Sequence, residues 1–471
     1  MKAVAEYWTD RRKDLLRDER GVIYKVDVAA TIALCFPNSY FVGMSNLGFH
    51  TAYWHFNLPE NVKAERAFYE GDEKPLTLES GRSLDEFSLV GFSINFELDY
   101  VNILRMLSLS KIPLLREKRN YSHPLVFIGG IVTFFNIRPL IPFIDFAFIG
   151  ESEELFEQVN NELVHYAATK GVEKTELLKR LSLIDGIFVP GFSQTVNPRY
   201  VDNLDHFECV SRIITPHTEF KNMFLVEISR GCLHKCNFCV SGHVYQRPRF
   251  RTLSHIMRSC ERGLLLTNRL GFIASAPSDY PSFDELCAYL KSRNAKVSFS
   301  SLRVSSITKS VLELLIASGQ TSLTLAPETG SERLRKHISK NIDNKCFFDV
   351  IQLAKKCGMK RIKLYMLIGL PDETDADLDE TVLFIKESAK IMLIRVSVTP
   401  FIPKPATPFE RYTINDKKII RKKIAFLRHA FKNDTRVTLT FDGIKAAHQQ
   451  ASLAKGDETI LLDEAEKLSS L

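Results

Sequence analysis

Three of the chain's nine cysteines lie close together in VEISRGCLHKCNFCVSG, residues 226–242. Cys232, Cys236 and Cys239 follow the spacing C-x3-C-x2-C. Thiolates are common ligands of zinc and of iron–sulfur clusters, so three neighbouring thiols indicate a metal centre. The other six cysteines are scattered, mostly inside helical or strand patterns, and we interpret them as small core residues.

The number of ligands distinguishes two kinds of metal site. A structural zinc ion takes four ligands, so His234 or His243 would have to complete the set. The spacing is not the paired C-x2-C…C-x2-C of a zinc ribbon. A 4Fe-4S cluster normally takes four thiolates, and with three from the protein one iron keeps an open position for a substrate-like ligand. The sequence therefore favours a cluster, with zinc as the alternative.

The cysteines follow the first of six apolar runs that read as strands. These runs cover residues 223–229, 271–276, 296–301, 322–327, 362–369 and 393–399. Helical patterns separate them at about 255–269, 283–293, 308–319, 346–357 and 375–390. Six strands are too few for a closed eight-stranded barrel, so we expect an open, partial (β/α)6 barrel with its chemistry at the carboxyl ends of the strands.

An earlier set of strands predicts a separate α/β domain. The runs cover residues 31–36, 64–69, 88–94, 124–130 and 145–150, with helical patterns at about 45–56, 98–109 and 152–168. This alternation predicts a doubly wound, Rossmann-like sheet whose ligand lies at the carboxyl ends of the strands. Gly129 and Gly130 would let a ligand approach the backbone there, although a double glycine is also a common tight turn.

Composition limits the class of protein. The chain has 471 residues, of which 45% are apolar and 25% charged, as expected for a globular protein of two or three domains. Its start, MKAVAEYWTDRRKDLL, lacks the apolar run of a signal peptide. The most apolar region, residues 126–150, is interrupted by Asn136, Arg138, Pro139 and Asp145, which argues against a membrane span. We therefore expect a cytoplasmic protein without a membrane span, and reduced thiols.

The net charge of +7 is concentrated in residues 411–436. That stretch holds nine Lys and Arg residues against Asp416 and Asp434. Such a run suits a phosphate backbone, but a solvated helix face, with Ile420 and Ile424 on its buried side, is the more common explanation. Nucleic acid is thus a weakly supported partner at this point.

The cysteine stretch RGCLHKCNFC resembles the cluster motif of the radical S-adenosylmethionine (radical SAM) superfamily, including the aromatic Phe238. In that family the open iron binds the amino and carboxylate groups of S-adenosylmethionine, and one electron from the reduced cluster cleaves it to methionine and a 5′-deoxyadenosyl radical. A group of these proteins with an N-terminal cobalamin-binding-like domain is also similar in the order of SLRVSSI, LAPETGSERLR, KLYMLIGLPDETDADL and VSVTPFIPKPATPFERY. Two earlier stretches resemble that domain, GFSINFELDYVNILRML and FIGGIVTFFNIRPLIPFIDFAFIGESEE.

The resemblance implies roles for individual positions. Cys232, Cys236 and Cys239 would ligate the cluster, and Phe238 would lie near the adenine. Relatives carry a glycine-rich turn where this chain has ASAPSDYP, which includes Ser275 and Asp279, so that contact with the cofactor's amino group differs here. The other cofactor-binding positions implied are Ser300, Ser301, Arg303, Glu328 and Gly369. No catalytic residue is implied.

Ordinary structural roles stay open for several of these residues. Glu328 also suits the start of the helix SERLRKHIS, because an acidic residue there favours the helix dipole. Arg303 also suits a surface ion pair. Four further residues would line the mouth of the site or a solvated loop, namely Tyr245, Arg247, Arg249 and Arg251.

The cobalamin-like domain departs from its pattern in one respect. The D-x-H-x-x-G loop, whose histidine ligates cobalt in many such domains, does not occur in residues 1–215. His50 is interpreted as a helix residue rather than as a ligand. Cobalamin would therefore bind without a protein histidine below the cobalt and support methyl transfer, or the domain has lost this cofactor and only recognises substrate.

These observations lead to one expected function and two alternatives. We expect a radical SAM enzyme with a 4Fe-4S cluster and S-adenosylmethionine, an electron donor of the flavodoxin, ferredoxin or reductase type, and cobalamin-dependent methyl transfer as its further reaction. The alternatives are an RNA-modifying enzyme of the methylthiotransferase kind and a non-catalytic module in which a metal is a structural staple or redox sensor. Against the first alternative, residues 1–215 offer only Cys35 and Cys209, not three further cluster cysteines. The substrate is not implied.

The expected architecture is α/β throughout, ending in a short, mainly helical extension with a basic helix. The expected segments are an arm (1–30), the cobalamin-binding-like domain (31–170), a connection (171–220), the radical SAM barrel (221–405) and the extension (406–471).

Overall fold

A computed structural model describes residues 11–71, 73–168 and 173–470. Its longer strands alternate with helices along almost the whole chain. The strands are β1 Ala30–Phe36, β2 Val62–Phe68, β3 Leu89–Ser93, β4 Leu125–Gly129, β5 Phe146–Phe148, β6 Ile187–Phe188, β7 Phe224–Glu227, β8 Ser229–Arg230, β9 Arg249–Phe250, β10 Arg269–Ile273, β11 Lys296–Phe299, β12 Ser322–Glu328, β13 Arg361–Ile368, β14 Leu393–Pro400 and β15 Val437–Phe441.

The helices lie between these strands. They are α1 over residues 11–18, α2 Tyr40–Gly43, α3 Leu47–Phe56, α4 Tyr100–Leu109, α5 Phe156–Ala168, α6 Lys174–Leu181, α7 Leu253–Leu266, α8 Phe283–Ser292, α9 Lys309–Ala317, α10 Glu332–His337, α11 Asn344–Cys357, α12 Asp375–Ile391, α13 Lys417–Ala430, α14 Ile444–Lys455 and α15 Leu462–Ser469. In the described chain, none of these helices is both long enough and apolar enough to cross a bilayer.

The chain divides into two compact units, Met1–Phe224 with Gly456–Leu471, and Leu225–Lys455. The last helix, α15, therefore belongs to the first unit, where it packs on α4. The Ser108 hydroxyl donates a hydrogen bond to the Leu468 carbonyl (3.1 Å). In the same unit the Asn136 amide donates to the Gly456 carbonyl (2.9 Å).

One six-stranded sheet forms the centre of the first unit, in the order β2-β1-β3-β4-β5-β6. Strands β1 to β5 pair in parallel and β6 is antiparallel. The five predicted strands are therefore confirmed, and β6 is an addition at the edge. Its two residues are too few to leave a pattern in the sequence.

Aromatic rings fill the core on one side of this sheet. Phe56 contacts Phe127, Phe148 and Phe156 with ring centroids 4.9–6.1 Å apart. The ring of Phe127 occupies the space above Gly91, where a Cβ atom would lie 2.1 Å from it. Contacts among these large rings therefore hold the helices onto the sheet.

A charged network is also buried in the first unit. Arg66 has no exposed surface, and its guanidinium donates to Glu19 (two bonds of 2.7 Å) and to Glu79 (2.7 Å). The Tyr40 hydroxyl donates to Glu19 (2.6 Å), and the Arg66 guanidinium lies 5.1 Å from the centre of the Tyr53 ring. One cation between two carboxylates leaves the network with a formal charge of −1, and its hydrogen bonds offset part of the cost of burial.

The second unit contains a three-stranded sheet in the order β11-β10-β7 and a four-stranded sheet in the order β12-β13-β14-β15. Strands β12 to β15 are parallel, as are β10 and β11. The fold class is confirmed, because a doubly wound sheet is followed by the open β/α repeat of a partial barrel.

Strand β15 lies in the segment that was predicted to be mainly helical. Val437–Phe441 pairs with β14, from Ile394↔Val437 to Val398↔Phe441. The strand is short, polar at every second position and at the edge of its sheet, so its sequence signal was weak. The barrel sheet therefore has one strand more than the sequence predicted.

Candidate functional site

The three cysteines of the motif lie in the loop that follows β7 and β8. All three are free thiols and half-buried. The backbone N–H of His234 lies 3.4 Å from the Cys232 sulfur, and the N–H of Cys239 donates to the Cys236 carbonyl (3.1 Å). The loop therefore folds back on itself and keeps the three sulfur-bearing residues together.

Asn237, between two of the cysteines, attaches this loop to the C-terminal end of α10. Its backbone N–H donates to the Ile338 carbonyl (3.0 Å) and its side-chain amide to the His337 carbonyl (2.8 Å). Its side-chain oxygen accepts from the Ser339 hydroxyl (3.1 Å). The sequence analysis did not identify Asn237. These hydrogen bonds give it the role of holding the cysteine loop in place.

The neighbouring charges show which strand ends meet the cysteines. Burial raises the pKa of the Cys232 thiol, Cys239 and the Asp279 carboxylate add to this effect, and Arg303 opposes it. Asp279 follows β10 and Arg303 follows β11. Two of the polar residues predicted at strand ends therefore lie close enough to act on the first cysteine.

A second pair of charges acts on Cys236. Burial raises the pKa of its thiol, the Lys340 ammonium lowers it, and Glu328 is among the groups that raise it. The Lys340 ammonium donates to the Glu328 carboxylate (2.8 Å), and both side chains are largely buried. The sequence analysis did not identify Lys340. It lies in a short turn before α11, where no pattern distinguishes it from a solvated lysine.

Glu328 has an unusual backbone conformation. It is the last residue of β12 and has φ of 66°, in the left-handed region that a residue with a side chain rarely adopts. The next turn is fixed by α12, because the Thr381 hydroxyl accepts from the Gly330 N–H (2.9 Å). A Cβ atom on Gly330 would lie 2.4 Å from the Thr381 backbone. Strain of this kind persists only where the surroundings hold it, and it is concentrated at functional sites.

Arg335 holds the same turn from inside. It is fully buried, and its guanidinium donates to the carbonyls of Thr329 (3.0 Å) and Gly330 (3.1 Å). Its guanidinium also lies 5.2 Å from the centre of the Phe347 ring. Burial lowers its pKa to about 10. Arg335 therefore positions the backbone that presents Glu328.

The polar residues after β10 and β11 connect the two strands to each other. The Ser300 hydroxyl donates to the Ala274 carbonyl (2.9 Å) and the Ser301 hydroxyl to the Ser275 carbonyl (3.0 Å). The Arg303 N–H donates to the Ser278 hydroxyl (3.0 Å). Ser275, Ser300 and Ser301 are exposed, so their hydrogen bonds to these carbonyls are made at the surface.

Asp279 lies against the cysteine loop. Its carboxylate oxygen is 2.7 Å from Nε2 of His234. Nε2 of His243 is 3.1 Å from the Cys236 carbonyl. Each imidazole therefore uses its Nε2 in a contact other than with a thiol. Among the described residues, no three His, Cys, Asp or Glu side chains are grouped tightly enough to hold one metal ion.

The aromatic residue of the motif and the end of β13 meet in one apolar cluster. Phe238 packs against the buried cluster of Leu334, Ile338, Leu370, Phe401 and Phe409. Gly369 precedes Leu370 with φ of 77°, and its N–H donates to the Glu373 carboxylate (2.8 Å). The structure therefore places Phe238 beside the turn that contains Gly369.

Two of the arginines predicted near the site are buried in the protein instead. Arg251 is almost fully buried and donates to Glu227 (2.6 Å), which also accepts from Arg230 (2.7 Å). Arg249 is also buried. These arginines are part of the interior, so the expectation of a mouth or a solvated loop is wrong for both. Charge alternation in the sequence did not reveal their burial.

Comparison with known proteins gives two family matches. Residues 48–190 match the model for the N-terminal region of radical SAM proteins, and residues 226–385 match the model for the radical SAM superfamily. Together they cover strands β2 to β6 of the first sheet and the second unit through most of α12.

Two individual proteins are similar to the chain in sequence. The chain is 28% identical over 447 residues to the uncharacterized protein MJ0966 of Methanocaldococcus jannaschii, covering 92% of this chain and 90% of that protein. It is 25% identical over 296 residues to the uncharacterized methyltransferase PH0819 of Pyrococcus horikoshii, covering 59% of this chain and 60% of that protein.

One solved structure is similar over most of the chain. This is the cobalamin-dependent S-adenosylmethionine radical enzyme OxsB with aqua-cobalamin and S-adenosylmethionine bound. The TM-score is 0.53 at 14% sequence identity, and the match covers 87% of this chain and 57% of OxsB. The likeness shows a shared fold.

Proposed function

Because the chain is a radical SAM superfamily enzyme with the N-terminal region of such proteins, we propose that it cleaves S-adenosylmethionine reductively and uses cobalamin for methyl transfer. The observation that carries the first half is the set of three free thiols beside two oppositely charged groups, Glu328 and Lys340. The second half is supported by the exposed apolar side chains after β1 and β3 in the first unit.

The donor set fits a 4Fe-4S cluster. Cys232, Cys236 and Cys239 provide three thiols in one loop, and the two nearby histidines are used in other contacts. Three thiolates leave one iron without a protein ligand. When bound, the reduced cluster supplies the electron for cleavage of S-adenosylmethionine. Asn237 keeps the loop in register with α10.

The charged pair fits the amino-acid end of S-adenosylmethionine. An α-amino acid carries an ammonium and a carboxylate. The Glu328 carboxylate would pair with the ammonium, and the Lys340 ammonium would pair with the carboxylate. Arg303, on the other side of the cysteine loop, provides a second cation for a carboxylate. Ser275, Asp279, Ser300 and Ser301 line the strand ends between them.

The apolar cluster fits the adenine end. Phe238 and Leu370 provide flat or apolar surface beside the turn that contains Gly369. The same cluster excludes water from one side of the site, which protects a reactive species from side reactions.

Cobalamin fits the carboxyl ends of the strands in the first unit. In a doubly wound sheet the ligand lies beyond these ends, where the strand order reverses between β1 and β3. Three large apolar side chains in the segments after β1 and β3 are each more than 40% exposed, namely Phe41, Val42 and Phe96. Such exposed apolar groups suit the face of a large planar ligand. OxsB, which shares this fold, is a cobalamin-dependent enzyme, and this likeness also supports the proposal.

The structure gives His50 no free nitrogen for cobalt. Its Nδ1 lies 3.2 Å from the Arg212 N–H and 3.3 Å from that of Ile213, and its Nε2 lies 3.0 Å from the Met44 carbonyl. Burial lowers its pKa to about 4. Cobalamin would therefore bind without a histidine from this position.

The reaction requires an electron donor and a reducing location. We propose a flavodoxin- or ferredoxin-type protein, or its reductase, as the donor and the cytoplasm as the location, because the three thiols must stay reduced until a cluster is assembled.

To test this, the protein is produced in cobalamin-fed cells, and its cluster is then reconstituted without oxygen. Iron, sulfide and cobalamin are measured on one sample, and 5′-deoxyadenosine is measured after reduction with dithionite in the presence of S-adenosylmethionine. The proposal expects about four irons per chain, near-stoichiometric cobalamin and formation of 5′-deoxyadenosine. If the protein binds the cluster and cleaves S-adenosylmethionine but holds no cobalamin, methyl transfer is contradicted and hydrogen abstraction is left as the reaction. About one zinc per chain with no iron would contradict both the cleavage of S-adenosylmethionine and the methyl transfer.

A further inference from the structure

Helix α13 and the turn after it carry a row of cations on the surface of the second unit. We call this row the basic ridge; it consists of Lys417, Lys418, Arg421, Lys422, Arg428, Lys432 and Arg436. All seven side chains are exposed. The opposite side of the helix is packed, with Ile420, Ile424 and Leu427 buried.

In the described part of the chain, no carboxylate forms an ion pair with the basic ridge. Within the described residues, none of its seven side chains lies within ion-pair distance of a carboxylate, whereas Lys423, on the inner side, is paired with Glu373. The two acids of this stretch serve the backbone, because Asp416 accepts from the Lys418 N–H (2.7 Å) and Asp434 from the Arg436 N–H (2.9 Å). Like charges one helical turn apart repel each other, and a polyanion would relieve this repulsion.

The ridge is connected to the candidate active site. The inner Lys423 contacts the same Glu373 oxygen that accepts from the Gly369 N–H (2.8 Å). Asn415, just before α13, lies so close to Gly369 that a Cβ there would be 2.9 Å from its side-chain oxygen. A polymer bound along the ridge would therefore pass near the turn that follows β13.

Aromatic side chains lie among the cations. Phe426 is 39% exposed and lies one helical turn from Lys422 on the same face. A groove of about 440 Å³ beside the ridge is lined by Arg428, Phe431 and Phe441, with the Arg428 guanidinium 5.0 Å from the centre of the Phe441 ring. Cations that track phosphates, with aromatic rings that stack on bases, are typical of single-stranded nucleic-acid sites.

We propose that the basic ridge binds a single-stranded segment of RNA. A membrane is a poorer partner, because the continuous apolar side of α13 is already buried and only Ile419 and Phe426 remain exposed among the cations. Duplex DNA is also poorer, because its bases are paired and stacked inside the double helix and offer no free face to the exposed ring of Phe426. RNA as the substrate of methyl transfer rests on the proposed function, which by itself names no substrate, whereas binding of RNA to the ridge does not.

The test is binding of a fluorescein-labelled RNA of mixed sequence, about 20 nucleotides long, to the reconstituted full-length protein. Fluorescence anisotropy is followed between about 50 and 200 mM KCl, with duplex DNA and phosphatidylserine vesicles as competitors. We expect affinity to fall with salt by a log–log slope of about −3 or steeper, which corresponds to four or more phosphate contacts on a single strand.

Two triple variants distinguish an effect of the basic ridge from a general effect of lost positive charge. K418Q/R421Q/K422Q should weaken RNA binding at least about tenfold and make the slope shallower by about 2. The control K355Q/K356Q/K360Q removes the same charge from exposed positions just before β13, at the amino end of that strand, and should leave both unchanged. F426A should weaken binding with no change in slope, since stacking releases no counterions.

The outcomes separate this inference from the proposed function. Equal weakening in both triple variants, no RNA binding below about 100 μM at low salt, or more effective competition by vesicles or duplex DNA would overturn the RNA site. Cleavage of S-adenosylmethionine without added RNA is measured on the same samples and should persist in both triple variants. Its absence from the unmodified protein would count against the proposed function and leave the binding result standing.

Discussion

The two units use the same strand architecture but place different chemistry at the carboxyl ends of their strands. In the second unit these ends carry thiols and charged groups, represented by Cys232, Asp279 and Glu328. In the first unit the segments after β1 and β3 carry exposed apolar groups such as Phe41 and Phe96. Parallel strands alternating with helices therefore fix where a ligand lies, and the residues at the strand ends determine which ligand it is.

The units differ as well in where they keep charge. The first unit buries Glu19, Arg66 and Glu79 together in its interior. The second unit also buries charge, for example Arg251 with Glu227 and the guanidinium of Arg335, but it carries in addition the exposed basic ridge and Lys340 beside the cysteines. Substitutions at the buried charges should therefore act mainly on stability, and substitutions on the basic ridge or in the cysteine loop mainly on binding.

The largest effect is expected at the cysteine loop. C236A should lose most of the iron and all cleavage of S-adenosylmethionine, because a thiolate ligand is removed. Iron analysis and 5′-deoxyadenosine formation measure this. C357A, a half-buried thiol at the end of α11, is the control and should retain both. Iron content unchanged in C236A would place the cluster elsewhere and remove the contrast between the units.

The next largest effect is expected in the interior of the first unit. R66L leaves two buried carboxylates without their cation and should lower the free energy of unfolding by about 3–5 kcal/mol. Both tryptophans of the chain, Trp8 and Trp54, lie in the N-terminal part, so tryptophan fluorescence during urea unfolding reports on this unit. R17Q, at an exposed ion pair with Asp14, is the control. Loss of iron binding in a folded R66L protein would contradict the division of roles.

A pH effect should also be specific to the first unit. Burial keeps the pKa of His50 at about 4, whereas an unfolded histidine titrates near its usual 6.5. The unfolded state therefore takes up a proton at this residue first, and the contribution of His50 to stability should fall as pH drops from about 6.5 to about 4, by up to about 3 kcal/mol. Asp99, whose pKa burial raises to about 6, contributes in the opposite direction. Urea unfolding followed by tryptophan fluorescence measures this, and H50Q should flatten the dependence. An unchanged dependence in H50Q would assign it to other groups.

The smallest effect is expected where α15 meets α4. Arg105 and Glu464 are 4.0 Å apart, and both are more than one-third exposed. R105A should therefore change the free energy of unfolding by less than about 1 kcal/mol, measured by the same fluorescence. A larger loss would show that the attachment of α15 depends on this ion pair rather than on the packing of Ala465.

The sequence predicted the strands and the cysteine loop well. Apolar runs bounded by turn residues predicted β1 to β5 and six strands of the second unit, because buried parallel strands read as continuous apolar segments. The C-x3-C-x2-C spacing needed no tertiary information, since its three residues belong to one loop.

Other parts of the site depend on contacts between distant residues. Lys340 gains its role only through the Glu328 carboxylate, and His234 through Asp279, 45 residues later. The left-handed conformation of Glu328 is imposed by the turn that α12 and Arg335 hold. Arg251 looked solvated because charge in a sequence does not reveal a buried partner, here Glu227.

The position of α15 has a consequence for biosynthesis. Because Gly456–Leu471 belongs to the first unit, the ribosome finishes that unit only after it has made all of the second. The second unit, which emerges uninterrupted, can therefore complete its fold while the first still lacks α15. Assembly of the first unit thus waits until the residues that follow the second unit have been translated.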